Sequence, residues 1–233
     1  KNRIITKYSL LTSETKADAD ATSYEKLLSG TSTVSIAGYI LTLDNRNSPY
    51  KPSKGSIVSL EQNLAGLGGT SNYLENKLSY KKYIRLNNNF IAAIKTQFGS
   101  INGYGGKYAP VDQMFNLGGK NLRGFKYGKI GPLLSGSFTG GNYYYVIATE
   151  TNFDLPIDEY DISSSLFLDV GSVWGLDDRY GDIDDEHKLR ASIGINISWD
   201  SAIGPINFIL AEPFMSEPTD TTDKFTFDIG YNF

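Results

Sequence analysis

Few side chains in this sequence could do chemistry. A Ser–His–Asp arrangement would need the one histidine, His187, which lies in a charged loop between Glu186 and Lys188. That single histidine makes no His-rich metal site, and the absence of cysteine excludes thiolates, disulfides and Cys–zinc centres. The acidic stretch 177–186 lacks the ligand spacing of a Ca²⁺ loop and reads as a solvated loop. Glu150 and Asp169 could imitate the carboxylate pair of a glycosidase. The most informative residue is Arg123. It sits among apolar neighbours in the run Leu117, Gly118, Gly119, Lys120, Asn121, Leu122, Arg123, Gly124, Phe125, which leads on to Ile130, Gly131 and Pro132. This run is the centre of the longest connection in the chain, roughly 102–142. Connections beyond ~12–15 residues are uncommon unless functional or disordered. Its leucines, arginine and aromatic are not the composition of a flexible linker. It reads as a loop that folds back into the protein and is anchored by Arg123. No catalytic residue, metal or cofactor is expected.

The elements that must position this loop read as about ten β-strands. The alternation is clearest over 189–199, where Leu189, Ala191, Ile193, Ile195, Ile197 and Trp199 share one face and Arg190, Ser192, Gly194, Asn196 and Ser198 the other. Over 225–233, Phe225, Phe227, Ile229, Tyr231 and Phe233 oppose Thr226, Asp228, Gly230 and Asn232. Noisier strands are expected over 72–86, 89–101, 143–155 and 165–174. Those over 2–13, 33–43 and 54–66 are weaker, and 205–213 is short. On the polar faces fall Glu150, opposite Tyr145 and Ile147, and Asp169, opposite Leu168 and Val170. A strand tilted ~45° needs about 9–11 residues to cross a bilayer, whereas ordinary strands are nearer ~5–6. The clear strands have the longer length.

Lys77, Lys81 and Lys95 sit mid-strand. A lysine facing lipid at the bilayer midplane costs roughly 2–4 kcal/mol, so in a membrane barrel these must point inward. The lumen would then hold Glu61, Glu75, Lys77, Lys81, Lys95, Glu150, Asp169 and Arg190, a mixture of charges. A soluble sandwich would show the same alternation with a solvated polar face. Strand length and the strand-end aromatics Trp174, Trp199, Tyr231 and Phe233 favour the membrane barrel. Connection lengths also alternate. The stretches 14–32, 102–142, 175–187 and 214–223 are long, and 44–53, 87–89, 156–162 and 201–204 are shorter; 67–71 is a short turn on the long-loop side. Outer-membrane barrels pair short periplasmic turns with long extracellular loops in this way.

The remaining bounds agree. At 233 residues the chain is one domain or part of one. A net charge of −4 is too mild to imply nucleic acid. Sixteen tyrosines, 12 phenylalanines and 24 glycines suit a β-barrel. No stretch approaches the ~20 apolar residues of a membrane helix. The chain opens at Lys1 without the charged and apolar regions of a signal peptide.

Several ordered motifs resemble one family. Phe115, Asn116, Leu117, Gly118 and Gly119, then Leu122, Arg123, Gly124 and Phe125, then Ile130, Gly131 and Pro132, resemble the loop of the bacterial surface antigen family, the outer-membrane assembly factors of the BamA type. The stretch 167–174 is similar to that family's strand with an inward Asp. The stretch 189–194, with Trp199 and then 203–206, is similar to another of its patterns, and 224–233 resembles its last strand with a terminal aromatic. The resemblance covers roughly 33–233 and is strongest from 113 onward.

The resemblance implies an all-β, antiparallel transmembrane barrel of about sixteen strands, of which this chain would supply about the last ten. The POTRA domains and first strands would be absent. It implies a non-enzymatic insertase in the outer membrane. Its partners would be unfolded outer-membrane proteins, outer-membrane lipids and assembly lipoproteins. The seam that opens to template a client would be represented by the last strand, with Phe225, Phe227, Gly230, Tyr231 and Phe233. The loop motif Leu122, Arg123, Gly124 and Phe125 would fold into the lumen, with Arg123 engaging Glu150 and Asp169. The physical reading agrees, since an arginine in a partly buried lumen requires carboxylates and its planar fork suits two. Gly124 would let the backbone approach closely and Phe125 would pack. The alternative role is a two-partner secretion transporter of the same superfamily. A passive porin or adhesin would have no need of an arginine-anchored loop.

Overall fold

The computed structural model describes residues 1–154, 162–176, 183–201 and 204–229. Ten long strands form one antiparallel sheet in which neighbours in sequence are neighbours in space. They are β1 (Asn2–Thr15), β2 (Gly30–Asp44), β3 (Gly55–Gly69), β4 (Tyr73–Arg85), β5 (Phe90–Gly103), β9 (Tyr143–Asp154), β10 (Ile162–Trp174), β12 (Arg190–Ser201), β13 (Gly204–Met215) and β15 (Phe225–Ile229). The first nine are 12–15 residues long, enough to cross a bilayer at a tilt. The stretch 205–213, read from sequence as a short strand, is a full wall strand of 12 residues. Pro213 and a bulge opposite Ala191 and Ser192 obscure its alternation.

Between the wall strands lie smaller elements. Helix α1 (Ser23–Leu28) caps the first long loop, with Thr22 and Glu25 forming a reciprocal capping box. The longest connection contains the 3₁₀ turn η1 (Val111–Gln113) and the two-residue strands β6 (Gly124–Phe125), β7 (Leu133–Leu134) and β8 (Ser137–Phe138). Two further short strands, β11 (Ile183–Asp184) and β14 (Thr222–Asp223), lie in the last two long loops.

Register assigns the faces. Leu74, Leu78 and Ile84 of β4, Phe90, Ile94 and Phe98 of β5, Ile193 and Trp199 of β12 and Phe225, Phe227 and Ile229 of β15 are exposed on the outer surface. That surface is apolar because its solvent is hydrocarbon, so exposure there is not a packing defect. One polar row crosses it: Tyr39 bonds to Gln62, Gln62 donates to Asn76 over 2.6 Å, and Asn76 donates to Ser100 over 3.3 Å. Each amide takes a neighbour as partner, which limits the cost of facing lipid.

The inner face is where the core sits, and it departs from a purely charged lumen. Val34, Ala65, Tyr73 and Ile101 from the wall pack with Ala109, Met114, Phe115, Leu117, Leu122, Phe125, Ile130 and Leu134 from the long connection, all buried. The connection therefore fills the long-loop end of the lumen with apolar side chains. The charged residues line the inner wall below it, towards the short turns.

Candidate functional site

The connection 104–142 is held inside by backbone pairing at both ends. Phe115 and Gly141 exchange two hydrogen bonds of 2.9 Å, and Asn142 donates to Gly175 over 2.8 Å. Within it the Arg123 segment makes a tight excursion. Gly119 N–H donates to Phe125 over 2.7 Å, and Gly128 N–H donates to Leu117 over 2.9 Å. Gly118, at φ +106°, lies so close to the Lys126 carbonyl that a Cβ would fall 2.5 Å from its oxygen. Only glycine fits both the dihedral and the space.

Arg123 lies at the tip. Its Nε and Nη2 donate to Asp169 Oδ2 and Oδ1 over 2.8 and 2.7 Å, a two-pronged contact, and its backbone N–H donates to Oδ2 over 3.1 Å. Nη1 reaches Glu150 Oε2 at 3.2 Å. The Ser192 hydroxyl donates to the Arg123 carbonyl over 2.5 Å. Asp169 is only 1% exposed, so its charge is tolerable because the guanidinium answers it. Gly124, at φ +89°, lies against β12 and β13, where an added Cβ would meet Ser192 and Pro213 at 3.1 Å. Leu122 and Phe125 are fully buried to either side.

A further partner was not apparent from the alternation. Phe167 is an aromatic on the polar face of β10, and it is buried. The Arg123 guanidinium carbon lies 3.5 Å from the centroid of its ring, a cation–π stack in a desolvated setting. Directly opposite on β12 is Gly194, where a Cβ would fall 2.4 Å from the ring. The glycine makes the slot that lets the ring lie flat beneath the arginine. The signal was in the sequence: an aromatic among Ser165, Asp169 and Gly171, facing a glycine.

Two other tethers join loops to the wall. Arg190 of β12 is 1% exposed and binds Asp220 through Nε and Nη2, at 2.9 and 2.8 Å. Asp220 Oδ2 also accepts from Glu217 N–H over 2.8 Å. The loop holding Asp220 pairs with the Arg123 segment through β14 and β6, Thr222 opposite Phe125 and Asp223 opposite Gly124. Lys126 N–H donates to Thr221 over 2.9 Å, and Thr221 N–H donates to Lys129 over 3.0 Å. Lys120 reaches Asp228 of β15 at 2.7 Å.

Of the last-strand residues, Phe225 and Phe227 face outward, Phe227 packing on Phe208 with ring centroids 5.4 Å apart. Gly230, Tyr231 and Phe233 lie outside the described residues. His187 sits on the outer wall, its ring edge-on to Trp174 at 4.9 Å and stacked on Tyr145 at 5.8 Å. Beside it Asp184 holds the Lys188 ammonium at 2.7 Å and raises its pKa above the ordinary lysine value. Among the described residues no cluster of His, Asp and Glu could hold a metal. Glu150 and Asp169 both face Arg123 and are paired with it.

Comparison with known proteins identifies the family and the fold. The Omp85 superfamily domain matches residues 3–233. An outer membrane protein assembly factor BamA from Neorickettsia risticii is 26% identical over 217 residues, covering 91% of this chain and 29% of its own length. A sorting and assembly machinery component 50 homolog from Bos taurus is 27% identical, covering 75% of this chain and 39% of its own. The crystal structure of BamA from Haemophilus ducreyi lacking POTRA domains 1–3 superimposes with a TM-score of 0.75 at 27% identity, over 85% of this chain and 42% of that one. The chain thus spans less than a third of the bacterial relative's length.

Proposed function

The chain belongs to the Omp85 superfamily, and on that premise we propose that it is the later part of the barrel of an outer-membrane assembly factor. It is an outer-membrane β-barrel chain, and its role is to insert other β-barrel proteins without a chemical step. The clients are unfolded outer-membrane proteins, the surroundings outer-membrane lipids, and the accessory partners assembly lipoproteins. POTRA domains and the first strands of a larger barrel belong to the rest of such a machine.

The observation that carries this reading is the Arg123 loop. It is packed into the lumen, stacked on Phe167 and forked onto Asp169. A passive pore gains nothing from closing its own lumen with an apolar plug. A machine that works through its wall does, because the plug braces the strands near the seam while leaving the lateral edge free. Both curated relatives described above are named for assembly, which favours assembly over export of a partner protein. The test is reconstitution of the full-length protein in lipid vesicles with an unfolded β-barrel client. Arg123→Ala is expected to slow client insertion while the protein remains embedded. Export of a soluble partner with no client insertion would establish the secretion role instead.

A further inference from the structure

Several inward cations of the wall are answered. Lys7 pairs with Glu61, Lys77 with Glu75, and Arg190 with Asp220. Two are not. Lys81 of β4 and Lys95 of β5 stand directly opposite each other in the register. Among the described residues neither has a carboxylate within ion-pair distance, and Lys81 only approaches the Tyr83 ring, at 5.1 Å. Like charges facing each other across a ladder are destabilising, and burial in a lumen strengthens that repulsion.

Both lysines line a cavity of about 140 Å³. Ala148 lies opposite Lys95 on β9, and Ala93 two residues before it; these small side chains leave the space open. Across the cavity are Lys120 and Arg123, and the carboxylates of Glu150 and Asp169 also line it; both are taken up by Arg123, and Lys120 is held by Asp228, so the two lysines remain the uncompensated charges. Asn196 also lines it, and its buried side-chain oxygen has no hydrogen-bond partner. The amide orientation is interchangeable, so Asn196 is able to offer N–H to an acceptor instead. The space therefore has surplus positive charge, ammonium donors on one wall, an unsatisfied amide on another and a volume suited to one compact ion.

We propose that this cavity is a binding site for a phosphate-class oxyanion, held between Lys81 and Lys95 and next to the Arg123 network. The ion cancels the repulsion of the lysine pair and places negative charge beside Lys120 and Arg123. Binding therefore stiffens the seat of the loop. A free phosphate and the phosphate of a lipid headgroup share this chemistry. The site follows from the lumen geometry alone and does not depend on the insertase reading.

The test uses the full-length protein in an uncharged detergent, in phosphate-free buffer, titrated with inorganic phosphate and followed by ³¹P line broadening and calorimetry. No client is present, so the result is separate from any insertion assay. Saturable binding is expected, weakened at least about tenfold in Lys95→Gln and in Lys81→Gln, since each removes a charge-assisted hydrogen bond. Lys82→Gln, one residue along and on the other face of β4, is expected to bind as the parent does. Both test variants relieve repulsion, so they are expected to retain the fold. A parallel arm compares vesicles of phosphatidylglycerol with vesicles of an uncharged glycolipid, reading amide-exchange protection of residues 118–125. Protection by phosphatidylglycerol without any response to inorganic phosphate assigns the ligand to a headgroup. No response in either arm, or equal binding by the parent and both glutamine variants, overturns the proposal.

Discussion

At the residue scale the structure turns on one buried charge. Asp169 is out of water and accepts three bonds from Arg123. Removing one partner of such a pair leaves an uncompensated charge and costs roughly 3–5 kcal/mol. Arg123→Ala is thus expected to destabilise far more than Asp169→Ala adds once Arg123 is gone. A double-mutant cycle on unfolding in urea checks this, and additivity of the two changes would remove the contact from the account. Arg123→Lys is not a gentle substitute, because a lysine has neither the fork for both Asp169 oxygens nor the plane to lie on Phe167. A companion prediction concerns Gly194. Gly194→Ala puts a methyl 2.2 Å from the Leu210 carbonyl oxygen and 2.4 Å from the Phe167 ring. Overpacking of this kind costs about 1–3 kcal/mol. The expected signature is a lower temperature for the gel shift on heating, with part of it restored by Phe167→Leu in the same chain.

At the element scale, the wall was legible and the plug only in part. Strand β12 declares itself because it separates two solvents, hydrocarbon outside and a polar lumen within; β4, β5, β9 and β10 show the same alternation with interruptions such as Asn76 and Phe167. Mid-strand lysines then settle which face is inward, since lipid does not tolerate them. The connection 104–142 has no such rule. Met114, Leu117, Ile130 and Leu134 are core residues at irregular spacing, because a loop packed into a cavity answers to shape and not to a period. The Arg123 motif was legible as the anchor of a folded-back loop, with Glu150 and Asp169 as its partners, but the apolar residues packed around it were not. Asp220 was invisible for a related reason: it is an acidic residue in an acidic, threonine-rich loop, and nothing local marks it as the partner of Arg190. Yet it welds that loop to β12. Asp220→Ala is expected to leave Arg190 buried and alone, again at roughly 3–5 kcal/mol, and to free β14 from β6. Hydrogen exchange should then show loss of protection at the amides of Lys126 and Thr221, which bond across the two loops. Unchanged protection there would mean that β6 and β14 hold each other without the ion pair.

At the scale of the whole molecule, the described sheet has two ends. Its order runs from β1 to β15, and among the described residues these two strands are not paired to each other. The ends differ in kind. β15 is joined to β13 over five residue pairs, from Ile206 and Ile229 to Leu210 and Phe225, and its beginning is steadied by the loop that Asp220 and Arg123 hold in place. β1 is joined to β2 over 14 pairs, but among the described residues its other edge has no strand partner. Ile4, Tyr8, Leu10 and Leu11 are exposed on it. In lipid every backbone polar group must find a partner, and an open edge of this length recruits one. These 233 residues, refolded alone into detergent, are therefore expected to associate through β1 and not to persist as a monomer. Cysteines introduced singly along β1, in a chain that has none of its own, should crosslink between copies at positions that alternate with the pleat. A monodisperse monomer with a heat-sensitive gel shift would instead mean that β1 and β15 close on each other. The wall would then be a complete ten-stranded barrel, and the seam would be the β1–β15 junction itself.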